Sequence, residues 1–462
     1  MVIDNSVKVT KEESVMVCRV CKRELTEEVC SFCGEDNSPY MQSDVNEETA
    51  VHSEEPKTEI KKKKTKYKLN KRKLARLVVI VICIIAFVFC VAKIFGGDKK
   101  EENVQTPKNL FSSGMLAVSV NGEWGYINAD NPSIFAVSPQ FSHVTDYHND
   151  LAAVCIDGKF SLINKDGELV CEPTFDAVGE FSDNGMIAVE KDGKWGYVDT
   201  KADFKIEPKF VTAYGFAPTK TAVVSVGGSF GFIGEDGEYV IAPQYDMALS
   251  FTADGFAPVK TGGKWGYIDK DGNMVIEPVY DEAYGFESGL AVVKQYGSYG
   301  LIDTEGNVVI KPQFDERFYF EGDVAVVNVG HRYGVIDKSG NYVIKPAYRA
   351  LGSFGSDGLA PAQRADGLCG YINASDEFVI DAQYEETLGF RLGLAPVKKG
   401  GKWGYIDKDG NMIIEPKYLK ASEFFDEGFA VVYTDGGNIN IINQEGNVAM
   451  VESATSIDNI LR

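Results

Sequence analysis

Histidine is scarce in this 462-residue chain. There are four in all, and after Gly96 only His143, His148 and His331, the last of them far from the other two. No Ser-His-Asp order, Gly-x-Ser-x-Gly elbow or phosphate loop accompanies them, and "GGKWG" lacks a P-loop's leading glycine spacing and trailing Ser/Thr. Nucleophilic and phosphoryl-transfer chemistry therefore lack their usual groups. Paired carboxylates remain conceivable for glycan hydrolysis, but among 54 Asp and Glu after Gly96 no pair stands out. The sequence predicts no enzyme and no catalytic residue. Cysteine is also thin in this stretch: Cys155, Cys171 and Cys369, three in 367 residues, are no disulfide framework. Cys155 and Cys171 alone lie close enough in sequence to suggest a pair. Positive charge is in deficit as well, with 30 Lys and Arg against the 54 acids, a net of −24. Such a surface repels nucleic acid and anionic wall polymers, leaving neutral glycans, basic proteins and Ca²⁺ as partners.

One long apolar run is present, "LARLVVIVICIIAFVFCVAKIF" at Leu74–Phe95. Its 22 residues would make a helix of ~33 Å, enough to cross a hydrocarbon core of ~30 Å. Leu77–Ala92 holds no charge, and Arg76 and Lys93 near the ends can snorkel. The segment lies too far from the N-terminus, and lacks the small-x-small site, for a cleavable signal. Nine Lys and Arg stand in Lys61–Lys73 just before it, and only Lys99, Lys100 and Lys108 in the twenty residues after it. The positive-inside rule then places the N-terminus in the cytoplasm and the rest outside, with the basic run against anionic lipid.

Beyond the span the chain repeats. "GGKWGYIDKDGNMVIEP" (262–278) returns at 400–416 with one change, Val275 to Ile413. Aligned on the residue before the Gly of "WG", ten units appear at Trp124, Phe160, Trp195, Phe230, Trp265, Tyr299, Tyr333, Cys369, Trp403 and Ile439, spaced 34 to 36 residues apart. Trp, Phe, Tyr, Cys and Ile share bulk but no functional group, so the column is a packing position. "KWGYID", "KDGN" and "MVIEP" read as a hairpin on an Asp-Gly turn, preceded by a third run such as "GLAVVK" (289–294). Pro closes the second hairpin strand in eight of nine units, and an aromatic follows two residues later. "DKDGN" also has the opening order of a calcium loop. Its acids fluctuate between units and no bidentate Glu follows at closing distance, so the turn reading is preferred.

Each unit thus reads as a three-stranded β-meander that buries its apolar face only by stacking on neighbours. Propeller blades usually have four strands and ~40 or more residues, in rings of ~4–8. Ten units of ~35 residues are therefore expected to form an open superhelix, with a closed β-propeller as the alternative. The motif "KWGYIDKDGN…IEPKY" resembles the WG repeat family over about three quarters of the chain. That resemblance implies a bacterial extracytoplasmic or regulatory interaction module without a common activity. Phe160–Ser161, Cys369 and Ile439–Asn440 depart from the pattern, marking the second, eighth and last units as degenerate.

The N-terminus differs in kind. Cys18-x2-Cys21 and Cys30-x2-Cys33 stand eight residues apart in a stretch with too few apolar residues to fold alone. Two such pairs suit four thiolates around a structural Zn²⁺, coupling metal binding to folding, and the stretch resembles a short zinc ribbon. The expected organisation is a zinc ribbon at 15–36, a disordered acidic then polybasic linker at 37–73, and a transmembrane helix at 74–95. A linker at 96–108, the repeat array at 109–450 and a tail at 451–462 follow. The expected function is a single-pass membrane-anchored surface scaffold that binds an envelope glycan or protein. The alternative is a sensor that couples an external ligand to the ribbon's cytoplasmic contacts.

Overall fold

The computed structural model describes residues 109–450 and the strand Ser456–Ile457. The cysteines Cys18, Cys21, Cys30 and Cys33, both linkers and the Leu74–Phe95 span lie outside the described residues. Among the described residues there is no helix.

Ten antiparallel sheets follow one another along the chain, one per repeat. Blade 5 shows the plan: strands Met247–Ala248, Ala257–Thr261, Lys264–Ile268 and Met274–Tyr280, in that spatial order. Blades 3 to 9 each have four strands rather than the three expected. The additional one is mostly two residues long and follows the previous blade's last aromatic almost at once, as Met247 follows Tyr245. Two ladder positions leave no periodicity to read.

The ring closes. Ser456–Ile457 pairs with Ser119 and Val118, taking in blade 1 the place that the short first strand takes elsewhere. Leu110, Phe111, Leu116, Val118 and Ile127 pack with Phe425, Val431, Ile439, Ile441 and Met450 of blade 10 into one core. The backbone N–H groups of Leu110 and Phe111 both donate to the Glu427 carboxylate, each at 3.1 Å. An open superhelix would leave those two apolar faces uncovered. Residues 109–450 with the strand Ser456–Ile457 form a ten-bladed β-propeller, because a short first strand adds a fourth strand to blades 3 to 9 within ~35 residues and the two end faces complement each other.

The internal seams share a plan that the seam of blades 5 and 6 shows in full. Trp265, Tyr267, Ile276 and Tyr280 of blade 5 form one core with Ala283, Phe286, Ala291, Val293 and Ile302 of blade 6. Tyr267 is fully buried, and its hydroxyl donates to the Tyr284 carbonyl on the connector into the next blade. Tyr126, Tyr197, Tyr371 and Tyr405 repeat that bond, and burial holds Tyr197, Tyr267, Tyr371 and Tyr405 in the protonated, donating form. The residue in the WG tryptophan column packs in these cores in nine of the ten units, as Trp265 and Trp403 show, and the tenth, Cys369, is buried, which bears out the packing reading.

The glycine of "WG" answers a separate demand. Trp265 pairs with Tyr280 but Tyr267 with Ile276, so two steps along the third strand span four along the fourth. The resulting bulge presses on Gly266: a Cβ there would stand 2.4 Å from the Ile276 carbonyl oxygen and 2.8 Å from the Pro278 nitrogen. Pro lacks an N–H, so it loses nothing where its nitrogen faces that glycine. The two units without the glycine, at Ser161 and Asn440, are the two whose blades keep only three strands. There the fourth strand shrinks to isolated bridges such as Ile163–Leu169 and Ile442–Val448. The eighth unit was also expected to be degenerate. It keeps Gly370, buries Cys369 in the aromatic column and forms a complete four-stranded blade.

Candidate binding surface

The "DKDGN" segments are turns held by their first acid. Asp269 Oδ1 accepts the N–H groups of Asp271 and Asn273, and Oδ2 accepts the Asn273 side-chain amide. Asp303, Asp337 and Asp407 do the same. Asn164 and Asn373 accept the same backbone pair through an amide oxygen. A neutral amide serving in place of the carboxylate is turn chemistry, as the sequence suggested.

The asparagine side-chain amide, together with the backbone N–H groups, holds the Asp269 and Asp337 carboxyls below their ordinary range. The same side-chain amide acts first on Asp303 and Asp407. A carboxyl with a depressed folded-state pKa contributes stability above its unfolded value of ~3.9, and that contribution is lost as pH falls through the lower folded value. Replacing all four acids by Asn is expected to lower the melting midpoint at pH 7 and to flatten its decline below about pH 4, because the carboxylate contribution is then missing at every pH. Thermal melts across pH 2–7 check this; an unaltered acid limb would refute it.

The histidines do not converge. His143 and His148 lie in and beside blade 2, and His331 sits at a hairpin turn of blade 7. Cys155, Cys171 and Cys369 are free thiols, so the suggested Cys155–Cys171 pair is not formed. Ser161, standing where the glycine belongs, contacts one of them: its hydroxyl donates to the Cys171 carbonyl and reaches Cys171 Sγ at 3.5 Å.

What the repeats do build is a periodic surface. Each fourth strand ends its sheet, and its side chains alternate between core and solvent, as in Met274–Tyr280. The third and seventh positions are buried, whereas the second, fourth and sixth are exposed. At the second position six consecutive blades place an aliphatic residue in solvent: Val240, Val275, Val309, Val343, Val379 and Ile413, each 39 to 53 % exposed. Lys205 and Ala136 hold that position in blades 3 and 1, so the apolar row covers blades 4 to 9 alone. Scattered exposed aliphatics are ordinary; one repeated at a fixed structural position through six blades is a surface with a period.

Tyr296 adds a different feature. At the hairpin tip of blade 6 it is 92 % exposed and held at φ +55°, a conformation that Gly or Asn would adopt more readily. Tyr296, Tyr239, Tyr319 and Tyr342 are the exposed tyrosines among the described residues. The aliphatic row was not foreseen, although aligning the six units on Pro, or on Ala382 where it replaces Pro in blade 8, and reading three residues back would have displayed it.

Comparison with known proteins bears on the fold. A family model described as "WG containing repeat" matches nine consecutive stretches from residue 124 to residue 437. No curated protein matches the chain. Among solved structures, a eukaryotic initiation factor aligns over 75 % of this chain and 97 % of its own, at 12 % identity and a TM-score of 0.45. Hsv2p of Kluyveromyces lactis aligns over 41 % and 71 % at 10 % identity and a TM-score of 0.29. The extracellular domain of BT4673 from B. thetaiotaomicron aligns over 77 % of this chain and 60 % of its own, at 8 % identity and a TM-score of 0.27. With the matched repeats spanning blades 1 to 10 in unbroken succession, the chain belongs to the WG repeat family.

Proposed function

We propose that the propeller is a non-enzymatic binding scaffold, displayed outside the cell by a single membrane span at Leu74–Phe95. The observation that carries this reading is the exposed aliphatic row on blades 4 to 9. Val and Ile offer area and no hydrogen bonds, so the row favours a protein of the cell envelope over a glycan. Six equivalent contacts on one scaffold gain from effective concentration, each bound contact raising the occupancy of the next. The strong negative charge of the chain after Gly96 selects against nucleic acid and favours a partner with basic residues around its apolar face. Cys18, Cys21, Cys30 and Cys33 would hold a structural Zn²⁺ on the cytoplasmic side, as a docking piece.

The test uses the full chain and isolated envelopes. Val275→Lys, Val343→Lys and Ile413→Lys together are expected to reduce envelope capture by about tenfold or more. As surface substitutions they should leave stability within about 1 kcal/mol. Equal capture by the triple variant, or no capture by the parent, would end this reading. Protease shaving of intact cells tests the topology separately, and a protected propeller would place it on the inner side.

A further inference from the structure

The repeats also expose the position at which one blade departs from the plan. The third residue after the aromatic that closes each blade is Val144, Val178, Ala213, Ala248, Ala283, Leu351, Thr387 or Ala421, and once Arg317. Ala248, Ala283, Leu351 and Ala421 are buried in seam cores. A guanidinium cannot take such a place without a buried partner. The connector into blade 7 rearranges around this conflict. Phe318, one residue on, enters the core against Phe314 and is 2 % exposed. The short first strand moves along the chain to Phe320–Glu321, where it pairs with Ala325 and Val324. In blade 6 the corresponding strand starts two residues after Tyr280, at Glu282–Ala283. Loss of the buried tyrosine at Leu301 does not explain the shift. Phe232 and Val335 stand in the same column, and the connectors after them keep the ordinary strands Met247–Ala248 and Ala350–Leu351.

Turned out of the core, Arg317 lies between two rings. Its Cζ is 3.6 Å from the Tyr284 ring centroid and 4.3 Å from that of Tyr319. Its Nε is buried with no hydrogen-bond partner. The acids nearby are engaged by other donors. Asp315 takes the Gly330 N–H, Glu316 the Tyr333 hydroxyl, and Glu282 takes Lys294, Tyr284 and Tyr299 together. With both faces covered, the guanidinium can meet a ligand only in its own plane. Its in-plane donors match the two oxygens of one carboxylate. The rings hold that plane in advance, so little rotamer freedom remains to be lost on binding.

We propose that Arg317, clamped by Tyr284 and Tyr319 where blade 6 meets blade 7, anchors a carboxylate-binding site. It is separate from the aliphatic row and does not depend on it. The engaged acids around it disfavour a dianion more than a monoanion, which selects a single carboxylate over phosphate. Tyr319, 41 % exposed, marks the solvent side of the clamp, so a ligand reaches the guanidinium edge past the rim of that ring.

The test is titration of the full chain with ¹³C-acetate, and separately with inorganic phosphate, at constant ionic strength, read by NMR. Saturable acetate binding is expected, with a shift of the Arg317 Nε–H resonance. Arg317→Gln and Arg317→Lys should each weaken acetate binding by about tenfold or more, because Lys keeps the charge and loses the fork. Both variants should retain the parent's melting cooperativity, which separates loss of the site from loss of the fold. Acetate binding unchanged in Arg317→Gln, retained in Arg317→Lys, absent from the parent, or weaker than phosphate binding overturns the assignment.

Discussion

Gly404→Ala is expected to destabilise the propeller by about 3 kcal/mol or more, although it adds a single methyl group to a small residue. The added Cβ would lie 2.4 Å from the Ile414 carbonyl oxygen and 2.7 Å from the Pro416 nitrogen. Both are backbone atoms of a strand fixed by Trp403–Tyr418 pairing on one side of the bulge and Tyr405–Ile414 on the other. Neither can rotate aside as a side chain would, so the fourth strand must leave its ladder. That would unseat Ile414 and Tyr418, 4 % exposed each, from the seam core they share with blade 10. The chain already contains this outcome in two places, since the blades carrying Ser161 and Asn440 lack the fourth strand. Denaturant unfolding measures the loss, and hydrogen exchange should localise it to Met412–Tyr418. By contrast, Trp403→Phe is expected to cost less, since Phe160 and Phe230 hold the same column in the second and fourth units. A Gly404→Ala variant within 1 kcal/mol of the parent would show that the bulge gives way cheaply.

Much of this was legible in the letters. The ten-fold repeat, the all-β units, the Asp-Gly turns and the packing role of the Trp column follow from local patterns that recur, and each appears in the fold. The fourth strand was not legible, because two residues such as Met247–Ala248 carry no alternation. The ring was misjudged for a related reason. Closure depends on Leu110, Phe111, Phe425 and Met450 meeting across more than 300 residues, and on Ser456–Ile457 reaching Val118. No periodic signal records a contact made once. The candidate sites divide in the same way. The aliphatic row is itself periodic and was open to reading, whereas Arg317 is visible only as an exception to its column. Its stacking between Tyr284 and Tyr319 needed the rearranged connector that coordinates alone reveal.

Closure yields the second large effect. Phe425→Ala should cost about 3–5 kcal/mol, the usual range for truncating a fully buried phenylalanine. Its distribution matters more than its size. In an open array, a defect in the last unit would loosen that unit and its one neighbour, leaving the first unit untouched. In the ring, Phe425 fills the core shared with Leu116, Val118 and Ile127, so blade 1 must lose support together with blade 10. Native-state hydrogen exchange is therefore expected to show faster opening at the amides of Met115–Val120 and Ala430–Tyr433 together, with blades 4 to 6 least affected. Phe286→Ala at the seam of blades 5 and 6 supplies the control: a similar cost, felt at that seam first. Both variants turn the ring into an array with two ends, one at the termini and one in the middle of the sequence. If Phe425→Ala left the blade 1 amides as protected as in the parent, the two ends of the chain would not be holding each other and the ring would be open.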